Sequence, residues 1–143
     1  MDIDAAMKRI PPHSAEAEQA VLGAMLMNKE AVMVASEIIS GEDFYQTAYG
    51  ILFDAMVELF HKGKPIDLIT LQEHLKEKDV PPEVSSMEYA RDLLVGTQTS
   101  ANVKYYAEIV RDKATLRRLI KINEETANVC YLENKPLEEI LDE

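Results

Sequence analysis

The sequence predicts an all-α fold: a compact multi-helix globule, then a long helix and the start of a truncated helical hairpin. Three observations predict it. Apolar residues recur at spacings of three and four along most of the chain, the period of one helix face. No stretch alternates apolar and polar residues long enough to build a sheet. And no Gly or Pro interrupts residues 97–135, a run longer than an ordinary globular helix.

Residues 1–13 read as a flexible arm closed by Pro11-Pro12. Ser14 suits an N-cap, and Glu16 and Glu18 sit well at a positive helix end. Ala17, Val21, Ala24 and Met25 then keep helical spacing. Gly23 inside this helix costs about 1 kcal/mol relative to Ala, which close approach of a neighbouring helix would explain. Asn28 caps a second helix with Ala31, Val34, Ala35, Ile38 and Ile39 on one face, stopped at Gly41. The third helix carries Tyr45, Tyr49, Leu52, Phe53, Met56 and Phe60 as one apolar stripe, read as core. His61 and Lys62 fit its last turn, and Gly63 ends it.

Ile66 to Ile69 read as a short extended link. Thr70 to Glu73 and Ser85 to Glu88 each match a capping box before a short helix, and Pro81-Pro82 separates the two. On the second of these helices Tyr89 falls roughly 110° from the apolar stripe, at about 100° per residue. It is either a boundary packer or a partner contact. The long helix, from about Ser100 to Leu132, would be about 50 Å long at 1.5 Å per residue. A domain of this size has a radius of gyration near 14 Å, so the helix must project or break. Its first stripe is Val103, Tyr106, Ala107, Val110 and Ala114; its second is Leu116, Leu119, Ile120, Asn123, Ala127 and Cys130. Pro136 suits the first turn of a last helix with Leu137, Ile140 and Leu141. So short a helix is not stable alone in water. The expectation is a hairpin whose second arm is cut, in a piece of a longer protein. The organisation is therefore an arm over 1–13, a helical globular subdomain over 14–98, and the long helix with the start of its hairpin over 99–143.

Composition bounds the function. The chain has 143 residues, 47% apolar and 29% charged, which reads as one globular domain. Its single Cys130 forms no intrachain disulfide and no zinc cluster. The longest apolar run, Ala20 to Met27, is far short of the roughly 20 residues of a membrane span. The acidic amino terminus does not open like a secretory signal, and the expected location is cytoplasmic. The formal charge of −11 disfavours nucleic-acid binding by this chain alone. From Lys104 to Lys121, however, six bases against two acids give +4, leaving −15 elsewhere. That segment is either a solvated helix face or a docking surface for an acidic partner or another copy of this acidic chain; nucleic-acid binding through it is a third reading, separable by the salt dependence of binding. No catalytic, cofactor-binding or metal-ligating set is found. Gly63-Lys64 is followed by Pro65 rather than Ser or Thr, so no phosphate-cradling loop is present. His13, His61 and His74 share no ligand spacing. His74 beside Glu73 is expected on the surface, Asp67 as a turn acceptor, and no carboxylate in an apolar setting that would tune it. No ATP turnover is expected from this chain.

Four blocks nonetheless resemble the amino-terminal part of bacterial DnaB-type replicative DNA helicases. They are Pro11-Pro12 with Glu16 to Gly23; Asp43-Phe44-Tyr45 with Phe53, Ala55 and Met56; Gly63 to Thr70; and Ala101 to Val110 with Lys113 and Leu116 to Ile120. In order they span about residues 10–122. The resemblance implies the collar domain of a hexameric, ATP-driven helicase at the replication fork. Such a domain is an all-helical globule plus a hairpin; hairpins pair, and primase docks its carboxy-terminal helical domain on the collar. ATP and Mg would belong to the carboxy-terminal motor, with most DNA contacts. By the resemblance, Tyr89 and Ile120 are primase-binding candidates. The apolar Leu116, Leu119 and Ile120 are self-association candidates, and Arg117, Arg118 and Lys121 are bases that could steer a partner. A helicase loader is a further implied partner. The chain departs from the family pattern at Tyr49, where His is usual, and in residues 81–86, which lack the usual Gly-Gly. Thr126 stands where another apolar primase contact is expected, which implies a weaker docking. Tyr49 lies on the core stripe, so that change is expected to be one of packing. The alternative reading is a free-standing helical adaptor or helicase-loading factor. Reading on past Glu143 separates the two, because a helicase continues through a linker into a Walker motif.

Overall fold

The computed structural model describes residues 9–97 and 99–143, with the backbone alone of Met87. Among these residues there are seven α-helices, one 3-10 turn and no strand. Helix α1 (Ala15–Met27) starts where Ser14 Oγ accepts from the Ala17 N–H at 3.1 Å. Asn28 ends α1 and begins α2 (Lys29–Ser36), its side chain accepting from the Glu30 N–H. One residue therefore supplies both the stop and the start. The 3-10 turn Gly41–Asp43 leads to α3 (Thr47–His61). Gly63 follows with φ +68, the left-handed stop expected of it. Then come α4 (Leu68–Lys76), α5 (Met87–Val95), the 30-residue α6 (Val103–Leu132) and the short α7 (Leu137–Leu141).

Helix α1 is the hub, packing against α2, α3, α5 and α6. A helix enclosed this way needs apolar or small residues nearly all round, and Val21, Leu22, Ala24 and Met25 are all fully buried. Gly23 permits the closest of these contacts. A Cβ there would lie 1.6 Å from Thr97 Oγ1 and 2.9 Å from the Leu93 carbonyl oxygen. The neighbouring helix expected at Gly23 is thus α5 and its exit. Helix α3 contributes Leu52, Phe53, Ala55, Met56 and Leu59 to the core, and the Phe53 ring meets Phe44 at 5.2 Å.

The buried face of α6 is Val103, Ala107, Val110 and Ala114, with Tyr106 half-buried beside it. This is the first expected stripe. Beyond Ala114 no residue of α6 is buried. The remainder, roughly 27 Å at 1.5 Å per residue, stands clear of the core.

The structure departs from the local sequence pattern in several places. Helix α4 starts at Leu68, not Thr70: Asp67 is the cap, its Oδ1 accepting from the Thr70 N–H at 2.8 Å. That bond holds the Asp67 carboxyl below its ordinary range. Ser86, not Ser85, caps α5. Tyr45 precedes α3 and is exposed rather than core, and Pro136 caps α7 from outside its first turn. Helix α2 ends at Ser36, short of the expected stop at Gly41; Val32 joins the core from it, Val34 is only half-buried, and Ile38, half-buried, and Ile39, buried, follow its end. Of the expected arm, residues 1–8 lie outside the described residues.

Candidate docking surfaces

Two surfaces gather the residues singled out from the sequence. The first surrounds Tyr89. Its N–H is bonded to the Ser86 cap at the start of α5, and its half-buried ring lies 5.9 Å from that of Tyr49 on α3, tilted by 44°. Tyr49 is itself half-buried, not fully inside, and its hydroxyl accepts from Gln19 Nε2 on α1 at 2.9 Å. Burial, then the neighbouring Tyr49, pushes the Tyr89 hydroxyl above its ordinary pKa. Around the pair lies a groove of about 410 Å³ lined by Glu16, Gln19, Ala20, Asp92, Leu93, Gly96 and Thr97. One part of Tyr89 packs at the α3–α5 junction, as expected of a boundary residue, and the other lines the open groove.

The second surface is the outer part of α6. Leu116, Leu119 and Ile120 are each about half exposed, and Ile122, Tyr131 and Leu132 more so. Leu137 and Leu141 of α7 are exposed as well. The exposed Ile122 was not among the residues read from the sequence. Ile120 also faces Arg9 to Pro12 of the arm across a groove of about 620 Å³, shared with Arg117, Lys121 and Glu124.

The bases on this helix are not equivalent. Arg117 donates from Nη1 to the Pro12 carbonyl and from Nη2 to the Asp43 carbonyl, both at 2.7 Å. Arg118 donates to the Asp43 carboxylate at 2.8 Å. Both guanidinium groups are therefore tied to their own chain. Lys121 is exposed at the rim of the Ile120 groove.

Two polar groups lie where the sequence did not suggest. Glu18 is fully buried and accepts from the Tyr45 and Gln46 N–H groups, so it satisfies donors at the approach to α3 rather than resting on the end of its own helix. His74 is buried, not on the surface, with Nε2 at 2.7 Å from the Glu58 carboxylate. Lys78 binds that carboxylate too, at 2.7 Å from Oε1. Hydrogen bonds from Lys78 and then His74 hold Glu58 below its ordinary pKa. The cluster ties α4 and its exit to α3.

Among the described residues no group of His, Cys, Asp or Glu could hold a metal ion, and no helix is long and apolar enough to cross a membrane. The one Gly-Lys pair does not fit a nucleotide. Gly63 ends α3, whereas a phosphate-cradling loop must open a helix.

Residues 10–112 match the family described as the DnaB-like helicase N-terminal domain. The chain is 41% identical over 136 residues to the replicative DNA helicase DnaB of Geobacillus stearothermophilus, covering 95% of this chain and 30% of that protein. It thus spans about a third of the length of the helicases it resembles. The crystal structure of the N-terminal domain of DnaB helicase from Mycobacterium tuberculosis superposes with a TM-score of 0.85 at 33% identity, over 93% of this chain and 94% of that one. The N-terminal domain of the Helicobacter pylori DnaB helicase, described with its interactions with primase, shares the fold with a TM-score of 0.69 at 17% identity, over 92% and 99%. A family match over most of the chain and a solved domain superposing end to end agree with the helical globule and its projecting α6: the chain belongs to the DnaB-like helicase N-terminal domain family.

Proposed function

We propose that this chain is the collar and oligomerisation domain of a hexameric replicative helicase and the site at which primase docks. The observation that carries the reading is the division of α6. Its apolar face is buried as far as Ala114, and apolar residues then continue uncovered through Leu116, Leu119 and Ile120. Contiguous exposed apolar surface marks an interface, and a helix that leaves its globule can offer this one to a second hairpin. ATP hydrolysis and DNA unwinding belong to the rest of the parent protein. This chain contributes assembly and recruitment.

The Tyr89 groove suits a partner's helix. It offers aromatic area, hydroxyl groups and a rim of Glu16 and Asp92 within one concave face. The relation to the Helicobacter pylori domain supports primase as that partner. In this reading the exposed Lys121 is the base that steers an acidic partner, a role that affects on-rate more than affinity.

Calorimetry with the carboxy-terminal domain of the cognate primase tests the docking. Tyr89→Ala is expected to weaken binding by about 1–2 kcal/mol or more with the melting temperature little changed. Unchanged affinity with lowered melting would make Tyr89 a packing residue only. Because several docking sites share one ring, the intact hexamer gains avidity, and the same dependence on Tyr89 is expected there.

A further inference from the structure

Ala114 is the last buried residue of α6, and Arg117 and Arg118 follow it by three and four positions. Residues at those spacings lie on the same side of a helix, one turn on. Here α6 last touches the globule. The contact is made by two guanidinium groups, not by apolar packing.

Their partners come from two separate segments. The Arg117 fork joins the carbonyl of Pro12 in the arm to the carbonyl of Asp43 in the 3-10 turn. The two acceptors lie 105 and 74 residues away in sequence. Its guanidinium lies over the Tyr45 ring at 5.6 Å, and His13 of the arm stacks on that ring at 4.0 Å. Arg118 takes Oδ1 of the buried Asp43, whose Oδ2 already accepts from the Ser40 N–H. The carboxylate is therefore fixed before the arginine reaches it. The half-buried Arg117 fork on fixed acceptors is directional as well as attractive, and Arg118, with its side chain 55% exposed, adds a partly solvated pair to the buried Asp43.

We infer that Arg117 and Arg118 are a latch that sets the direction in which the outer half of α6 leaves the globule, with the arm at Pro12 as one of its catches. The latch holds the Leu116–Ile120 face in a fixed relation to the Tyr89 groove. It requires no partner, so it stands or falls apart from the docking reading. Two bonds from Arg117 and one from Arg118 tie the helix to the arm and the 3-10 turn just beyond Ala114, the last of its buried residues. When they open, α6 remains a helix but is free to bend where it leaves the globule, so its outer half samples a wider range of directions.

The test measures distance within the 143-residue chain. One spin label goes on Cys130, which is native, exposed and far out on α6. A second goes on Lys64→Cys, an exposed position in the turn after α3. Unlabelled chain in excess dilutes out distances between molecules. The otherwise native chain is expected to give one narrow distance. Arg117→Ala with Arg118→Ala is expected to lose it and give a broad distribution, at unchanged helical circular dichroism, because Ala is the strongest helix former. Arg111→Ala, which removes a base outside the latch on the same helix, keeps the narrow distance. An unchanged distance in the folded double variant overturns the latch. Should the double variant fail to fold, Arg117→Lys carries the test, since one ammonium cannot reproduce the guanidinium fork. A narrow distance in Arg117→Lys then overturns the latch, and a broadened one supports it. Removal of residues 1–12 isolates the arm: broadening confirms Pro12 as a catch, and a narrow distance removes the arm from the proposal.

Discussion

The two halves of α6 are one continuous helix held by different forces. From Val103 to Ala114 an apolar stripe is sunk into a globule that encloses α1 on several sides. Beyond Ala114, apart from the Arg117 bonds to the Pro12 and Asp43 carbonyls, the side-chain bonds to backbone among the described residues are local. Thr115 donates to the Arg111 carbonyl, Asn123 to Leu119 and Thr126 to Ile122, each one turn back. Such bonds decorate a helix without supplying the burial that stabilises most helices in proteins. The inner half is there to hold the domain together. The outer half presents side chains outward, and its apolar residues remain open to a partner. A single unbroken hydrogen-bond ladder thus joins a buried stability element to an exposed apolar face, the one proposed above for recognition.

The comparison breaks most readily in the core. Phe53→Ala removes a ring buried to 1% exposure and in contact with Phe44. It should cost roughly 3–5 kcal/mol, much of a typical domain's stability. Thermal denaturation checks this, and a near-unchanged melting temperature would mean the core is elsewhere. Gly23→Ala tests the α1–α5 contact. The added methyl meets not only the movable Thr97 side chain but the Leu93 carbonyl at 2.9 Å. Overpacking should outweigh the gain in helix propensity and destabilise the domain by about 1–3 kcal/mol. A raised melting temperature would show that α5 yields at little cost.

How far the sequence discloses these features depends on how far apart their partners lie. The helices, the buried α6 stripe and the close approach at Gly23 are legible because spacing and residue size act locally. Tyr89 was legible as a residue off its stripe, although not the groove it shares with Tyr49. The caps were legible only to within a residue or so. Asp67 and Thr70 are both good caps, and the choice between them depends on where the tertiary structure places Leu68. Glu18 was misread because its donors, at Tyr45 and Gln46, are 27 and 28 residues away. His74 was misread because Glu58 sits on another helix. Arg117 and Arg118 carried a signal only as charge, and charge alone does not tell a steering base from a structural one.

A subtler perturbation is pH. Glu58 is held below its ordinary pKa by Lys78 and then His74. A lowered folded pKa contributes stability that is present above the unfolded value, about 4.3 for Glu, and is lost as pH falls through the folded value. Asp54, one turn away on α3, runs the other way: burial, then nearby Glu58 and Glu42, raises it against the Gly41 N–H bond. Ionised Asp54 therefore costs stability near neutrality, and acid relieves that cost. Glu58→Gln should flatten the acid limb of a melting-temperature profile, and Asp54→Asn should steepen it. The Glu58 side chain is 40% exposed, so water screens its share to below about 1 kcal/mol. Parallel profiles for Glu58→Gln and the native chain would remove the cluster as a pH-dependent tie between α3 and α4.

The smallest expected effect on folding is also the sharpest test of the division within α6. Leu119 is half exposed and lies beyond the last buried residue of the helix. If the outer half only presents side chains, Leu119→Asp should change stability by no more than about 0.5 kcal/mol, as surface substitutions usually do. The same charge placed inside an apolar contact between two hairpins would be desolvated and unpaired, which is far more costly. The two measurements should therefore separate: denaturation of the dilute chain nearly unmoved, and sedimentation at high concentration shifted towards monomer. Leu116→Asp, also on the exposed stripe, should act alike, whereas Lys104→Asp, in the inner half, should leave association unchanged. A large loss of stability in Leu119→Asp at low concentration would show that the outer half is bound to the globule after all. A strictly monomeric native chain would leave Leu116, Leu119 and Ile120 without a second hairpin to meet.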